Sequence, residues 1–158
     1  MEPQGGGSQP NYPAGGTKRE RLKFGAFTFT RSPAGRSVVQ VELEHDGKKF
    51  IGRAEGSSSP VADLRLGADA AIQAVREFLA GGMGLELLGV KLVRAFDANV
   101  AIVSVTRRPA AGGLLVGCCL ADRDPVRAAA LSVLNATNRI IEIYIAESRA
   151  QPPSNPPS

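Results

Sequence analysis

The chain has 158 residues, 43% of them apolar, with two cysteines and one histidine. That is one domain's worth of sequence; no apolar run nears the ~18–20 residues of a membrane helix, and no signal-peptide core opens it. Cys118 and Cys119 are adjacent, so on a strand they point to opposite faces and a mutual disulfide would be strained. Two half-buried thiols in a reducing cytoplasm are therefore expected.

The formal net charge is +4. Through Arg36, Lys18, Arg19, Arg21, Lys23, Arg31 and Arg36 stand against Glu2 and Glu20, while cations and anions balance from Ser37 onward. This reading gives the excess to an N-terminal arm and leaves a neutral body. Residues 1–20 are Gly- and Pro-rich, and 148–158 end in a Pro-Ser tail; neither can offset its ordering entropy, so both should be disordered.

Along the foldable region, 21–147, Leu22 to Thr30 reads as a first strand, with Arg31 to Gly35 as its turn. Val39, Val41 and Leu43 alternate with Gln40, Glu42 and Glu44, the pattern of a strand with one wet face. Asp46-Gly47 is a hairpin signal, Lys49 to Ala54 is the return strand, and His45 beside the turn is expected to be exposed. Apolar residues from Val61 to Leu79 recur every three or four positions, predicting a helix capped by Ser59, opened by Pro60 and stopped by Gly81-Gly82. Gly67 costs about 1 kcal/mol against alanine and can break that helix.

The same order then returns. Leu87 to Ala95, Val100 to Thr106 and Leu114 to Leu120 read as strands, and Asp124-Pro125 opens a second helix with Val126, Ala129, Val133, Ala136, Thr137, Ile140 and Tyr144 on its inner face. The last stretch, Ile140 to Ile145, has strand-like composition. Val38–Val41 aligns with Val100–Val103, Ile51-Gly52 with Val116-Gly117, and Pro60-Val61 with Pro125-Val126. The shift grows from 62 to 65 residues across the second hairpin, which places about three extra residues near Gly112-Gly113. An internal repeat follows: an α+β fold of two βββα modules, about 21–82 and 83–147, with antiparallel sheets packed on two helices about a pseudo-two-fold axis. A central cleft is then the first place to look for a site. The alanine-rich helices allow close approach of helix to sheet, or of helix to helix across a dimer.

Chemistry-bearing constellations are few. The sequence has no Cys/His metal spacing, no phosphate loop with its lysine and no serine elbow, which argues against an enzyme, a metal or a cofactor. The carboxylates look scattered over polar faces. A neutral body without aromatic residues interleaved among basic ones counts against nucleic acid, leaving only the basic arm for such a role. The better candidates are the loops Gly56 to Pro60 and Ala121 to Pro125, each entering a helix whose free N–H groups and positive dipole end attract a carboxylate. Asp63, Asp122 and Asp124 can neutralise an ammonium, so the set suits a zwitterion such as a free amino acid. The plainer reading of Ser59 and Asp124 is N-capping alone.

VELEHDGKKFIGRAEG, SPVAD ahead of an alanine-rich helix, and VGCCLADRDPVRAAALSVLNATNRII resemble the C-terminal regulatory domain of 2-isopropylmalate synthase and the similar domains of citramalate and homocitrate synthases. The run Asn135-Ala136-Thr137-Asn138-Arg139 is the most specific match, and the resemblance spans about 21–145. It implies a pair of βββα units that dimerises and binds an end product of leucine biosynthesis or a related pathway, usually leucine or isoleucine, among the helices and the loops before them. Pro60, Asp63, Asp124, Pro125 and Ala128 match the family's binding pattern, and the residue reading adds Ser59 and Asp122. The first loop is less glycine-rich than the family's, Asp63 falls one place late, Leu64 to Gly67 resembles an insertion, and the second loop has Arg-Asp-Pro where the family tends to Thr-Asp-Ile. No catalytic barrel is covered, so no synthase activity is implied. The expectation is a stand-alone, cytoplasmic homodimer that binds a branched-chain amino acid and signals to a partner protein. The alternative is a scaffold that keeps the dimerising fold without the ligand.

Overall fold

A computed structural model describes residues 21–81, 84–108 and 113–151. Eight elements follow in order: β1 (Lys23–Arg31), β2 (Arg36–His45), β3 (Lys48–Ser57), α1 (Pro60–Leu79), β4 (Gly84–Ala95), β5 (Ala98–Arg108), β6 (Leu114–Leu120) and α2 (Pro125–Ala150). The strands form two antiparallel three-stranded sheets, β1-β2-β3 and β4-β5-β6, so the chain is an α+β fold of two βββα modules. The arm before residue 21, the tail after Gln151, Gly82 and Gly112 lie outside the described residues.

The repeat is visible in the hydrogen-bond register. Val41 pairs with Gly52 in the first sheet, and Val103 pairs with Gly117 in the second. Glu44 opposite Lys49 matches Thr106 opposite Leu114, which puts the three extra residues of the second module in the β5–β6 connection. The opening strands also share a feature that the alternation of side chains did not reveal. Each carries one extra residue opposite the middle strand, between Phe24 and Phe27 in β1 and between Leu87 and Gly89 in β4. Such a bulge bends its strand.

Each helix lies on its own sheet at a glycine. A Cβ on Gly52 would stand 1.8 Å from the Ala70 carbonyl oxygen, and one on Gly117 would stand 2.1 Å from that of Ser132. Only a missing side chain lets helix and strand backbones come so close. The contact falls ten residues after Pro60 in α1 but seven after Pro125 in α2, so α1 has most of an extra turn ahead of its sheet contact.

Gly67 does not break α1, which is continuous. A Cβ there would meet the Val126 carbonyl at 2.5 Å, so this glycine serves the crossing of α1 over α2. Around it, Ala68, Ala71, Val75, Ala129, Ala130 and Val133 are fully buried in one core joining both modules. The helices are also pinned to their edge strands at equivalent places. Gln73 accepts from the Arg53 N–H of β3, and Asn135 donates to the Cys118 carbonyl of β6. The Asn135 of the specific sequence run thus satisfies an edge-strand carbonyl.

Four expectations need correction. His45 is half-buried: its ring meets Phe78 edge-on at 5.4 Å, in a cluster with Phe50 and Tyr144 that seats the end of α2 against the first module. With that anchor α2 runs on to Ala150, so Ser148 and Arg149 belong to the helix and not to a tail. The strand-like composition of Ile140 to Ile145 is helix, with Ile140, Ile141 and Ile145 buried. Finally, Lys23, Arg31 and Arg36 lie in β1 and β2, where Arg36 pairs with Glu55. Residues 1–20 carry two cations and two anions, so the excess positive charge belongs to the folded body. Cys118 is exposed and Cys119 half-buried; burial pushes the Cys119 thiol up, Arg127 opposing and Cys118 adding to the shift.

Candidate functional site

Both helix starts form as the local sequence dictates. The Ser59 hydroxyl accepts from the Ala62 N–H at 3.1 Å, the Asp124 carboxylate accepts from the Arg127 N–H at 3.1 Å, and a proline follows each cap. Proline has no N–H to leave unpaired, and its fixed φ suits the first helical position. The two starts converge on a cavity of about 650 Å³, closed on its other sides by the end of β1 and the middle of β4. Several lining residues are equivalents across the repeat: Phe29 and Leu92, Pro60 and Pro125, Val61 and Val126. The cavity is therefore walled by both modules, partly at equivalent positions.

Polar groups break this symmetry. Asp63, in the first turn of α1, is only 1% exposed, so the picture of carboxylates scattered over polar faces fails here. Its Oδ2 accepts from Arg31 at 2.6 Å and from the Ser58 hydroxyl at 3.4 Å. Its Oδ1 has no partner among the described residues; the Ser37 hydroxyl stands near, also unpartnered, outside good hydrogen-bonding geometry. Burial pushes the Asp63 pKa up, but Ser37, the hydrogen bond and charge of Arg31, and Ser58 together outweigh it and leave it below the usual value. The group is thus an ionised, buried carboxylate with its cation on the cavity wall. The Arg31 side chain remains half-exposed, and Arg123 reaches the same space from the second loop.

At the position of Asp63 the second module has Ala128, buried in a small cluster with Ala101 and Ala121. The Ser132 hydroxyl below it lies within hydrogen-bonding distance of the Ala101 and Ala128 carbonyls. No carboxylate stands there, and no arginine is needed.

Of the residues singled out from sequence, Pro60, Asp63, Asp124 and Pro125 come together on the cavity wall. Ser59 caps α1 outside the lining. Asp122 accepts from the Asn99 N–H at 3.0 Å and, with Asp124 and Ala128, borders a smaller surface depression of about 290 Å³. Arg31, Phe29 and Leu92 were missed, whereas Arg123 lies in the loop Ala121 to Pro125 already taken as a candidate. Strands β1 and β4 are far in sequence from the helix starts, and only the bulge-matched alignment of Phe29 with Leu92 could have indicated them.

Among the described residues no three His, Cys, Asp or Glu side chains are grouped to hold a metal ion, and no helix is long and apolar enough to cross a membrane. Compared with known proteins, the chain matches no family model and no curated protein.

Proposed function

We propose that this chain is a non-catalytic, dimerising module that binds a small branched apolar carboxylate, of which leucine and isoleucine are the leading examples, and regulates a partner protein. The supporting observation is the cavity walled by both modules. Its walls are mainly aliphatic and aromatic, and its volume falls within the ~300–1,000 Å³ usual for small-molecule sites. A cation at one end, Arg31, is held by a carboxylate that Arg31 already neutralises. Its exposed face can pair with an incoming carboxylate, while Phe29, Leu64, Val90 and Leu92 enclose a branched side chain. Asp124 is the acid best placed for an ammonium, since Asp63 is committed to Arg31. The resemblance to regulatory domains of 2-isopropylmalate synthase supports the same ligand class.

The test is a thermal-melt screen against the twenty amino acids and the branched-chain 2-oxo and hydroxy acids. A ligand at about 100 times its dissociation constant adds about 2.7 kcal/mol, a rise of several degrees in a domain of this size. Leucine or isoleucine should raise the midpoint, and Arg31→Ala should abolish the rise. A cooperative melt that no compound moves would remove the ligand and leave a scaffold as the function.

A further inference from the structure

The outward face of the second sheet has a composition that a solvated face does not need. Read across β4, β5 and β6, its rows are Val93–Val100–Leu120, Lys91–Ile102–Cys118, Gly89–Ser104–Val116 and Glu86–Thr106–Leu114. The opposite face of the same strands carries Val103, Val105 and Gly117 against α2. Leu114, Val116 and Leu120 are therefore pointed away from the core, and they are 57%, 59% and 67% exposed. The two charged residues in these rows, Lys91 and Glu86, both belong to β4, at one edge. At the end of the sheet bearing Val93 and Leu120, the β4–β5 turn displays Phe96, which is 100% exposed at a φ of 55°. A bulky aromatic in the left-handed region is strained as well as unsheltered.

We propose that this face is the surface through which two copies of the chain pair, sheet against sheet. Three strands about 4.8 Å apart, of 12, 11 and 7 residues at ~3.3 Å per residue, present on the order of 500 Å². Two copies then bury on the order of 1,000 Å², about the least that a biological interface needs. An isologous pairing about a two-fold axis sets a patch against itself, so it needs a face that does not repel itself. A centre free of charge, with Lys91 and Glu86 on the edge strand β4 and Arg108 at the far end of β5 paired with Glu86 at 3.1 Å, meets that need, and apolar inner faces packed ~10 Å apart are how sheets stack. The proposal shares its two-copy assembly with the function proposed above but does not depend on the ligand, because this face lies on the other side of the sheet from α2.

The test is the mass of the full chain in solution at tens of micromolar, by sedimentation equilibrium. The native protein should have twice the 16.5 kDa chain mass. Val116→Glu should give a folded monomer, checked by circular dichroism, while Ile51→Glu on the outward face of the first sheet should remain a dimer. A measurement on the unmodified protein guards against misfolding of the variant. Cys118 lies in the second of the four rows, so its alkylation should be slow at high protein concentration and at least tenfold faster on dilution into the monomer range. A native monomer, a Val116→Glu dimer, or a Cys118 rate independent of concentration would overturn the proposal.

Discussion

On the outward face of the first sheet, Glu42, Glu44, Lys49, Arg53 and Glu55 lie close together, and Lys49–Glu42 and Arg53–Glu55 are ion pairs at 3.1 and 3.6 Å. On the outward face of the second sheet, the corresponding strands carry Val100, Ile102, Val116, Cys118 and Leu120. The two modules thus share register, bulge, helix-seating glycine and capped helix start, yet treat solvent in opposite ways. Duplication preserves what the backbone requires. The side chains that do not touch the core diverge, and with them the partners each face can take.

The inner surfaces make the same comparison at a single position. Asp63 in the first module is a buried carboxylate answered by Arg31, whereas Ala128 in the second sits among small apolar neighbours. Copying the acid into the second module should be the most damaging change. Ala128→Asp would put a charge among Ala101 and Ala121, with only Arg123 and Arg127 on the rim of the neighbouring depression to answer it, and a loss of about 3 kcal/mol is expected in urea denaturation. If the variant keeps native stability, the two sites are less different than their surroundings indicate.

Removing the acid from the first module should cost less. Asp63→Asn keeps the shape but weakens a charged hydrogen bond, at about 2 kcal/mol. The folded pKa of Asp63 lies below its unfolded value near 3.9. Its contribution is therefore complete above that pH and is lost as pH falls through the folded pKa. Stability measured from pH 6 down to 2 should fall less steeply in Asp63→Asn than in the native chain, and parallel curves would show that the pair with Arg31 carries no pH-dependent stability.

The smallest effect concerns the feature that the modules share most closely. Ser59→Ala and Asp124→Ala each remove one cap acceptor and should cost about 1 kcal/mol apiece, measured by thermal melts without ligand. A much larger loss for Asp124 would mean that its carboxylate does more than cap α2.

The repeat, the six strands, both caps and the helix starts were legible in the chain because each depends on neighbours: alternation, a proline after a cap, a hairpin signal. Four of the seven candidate residues lie on the cavity wall for the same reason, since a helix start is a local event. What alternation and spacing could not yield was Arg31 beside Asp63, because a strand end and a helix turn 32 residues away meet only when α1 settles on its sheet. His45 was misjudged on similar grounds: its place beside a turn signalled exposure, but Phe78 of α1, itself packed on Tyr144 of α2, meets its ring.

By itself the sequence determined the order of elements and the equivalence of the two halves, for these follow from interactions within a few residues or from similarity visible in the chain. The tertiary structure decided why Gly67 is a glycine, where the positive charge resides and which face of the second sheet is left apolar. Those depend on which backbones approach closely and which side chains they exclude from water, and distances between elements are absent from a linear pattern.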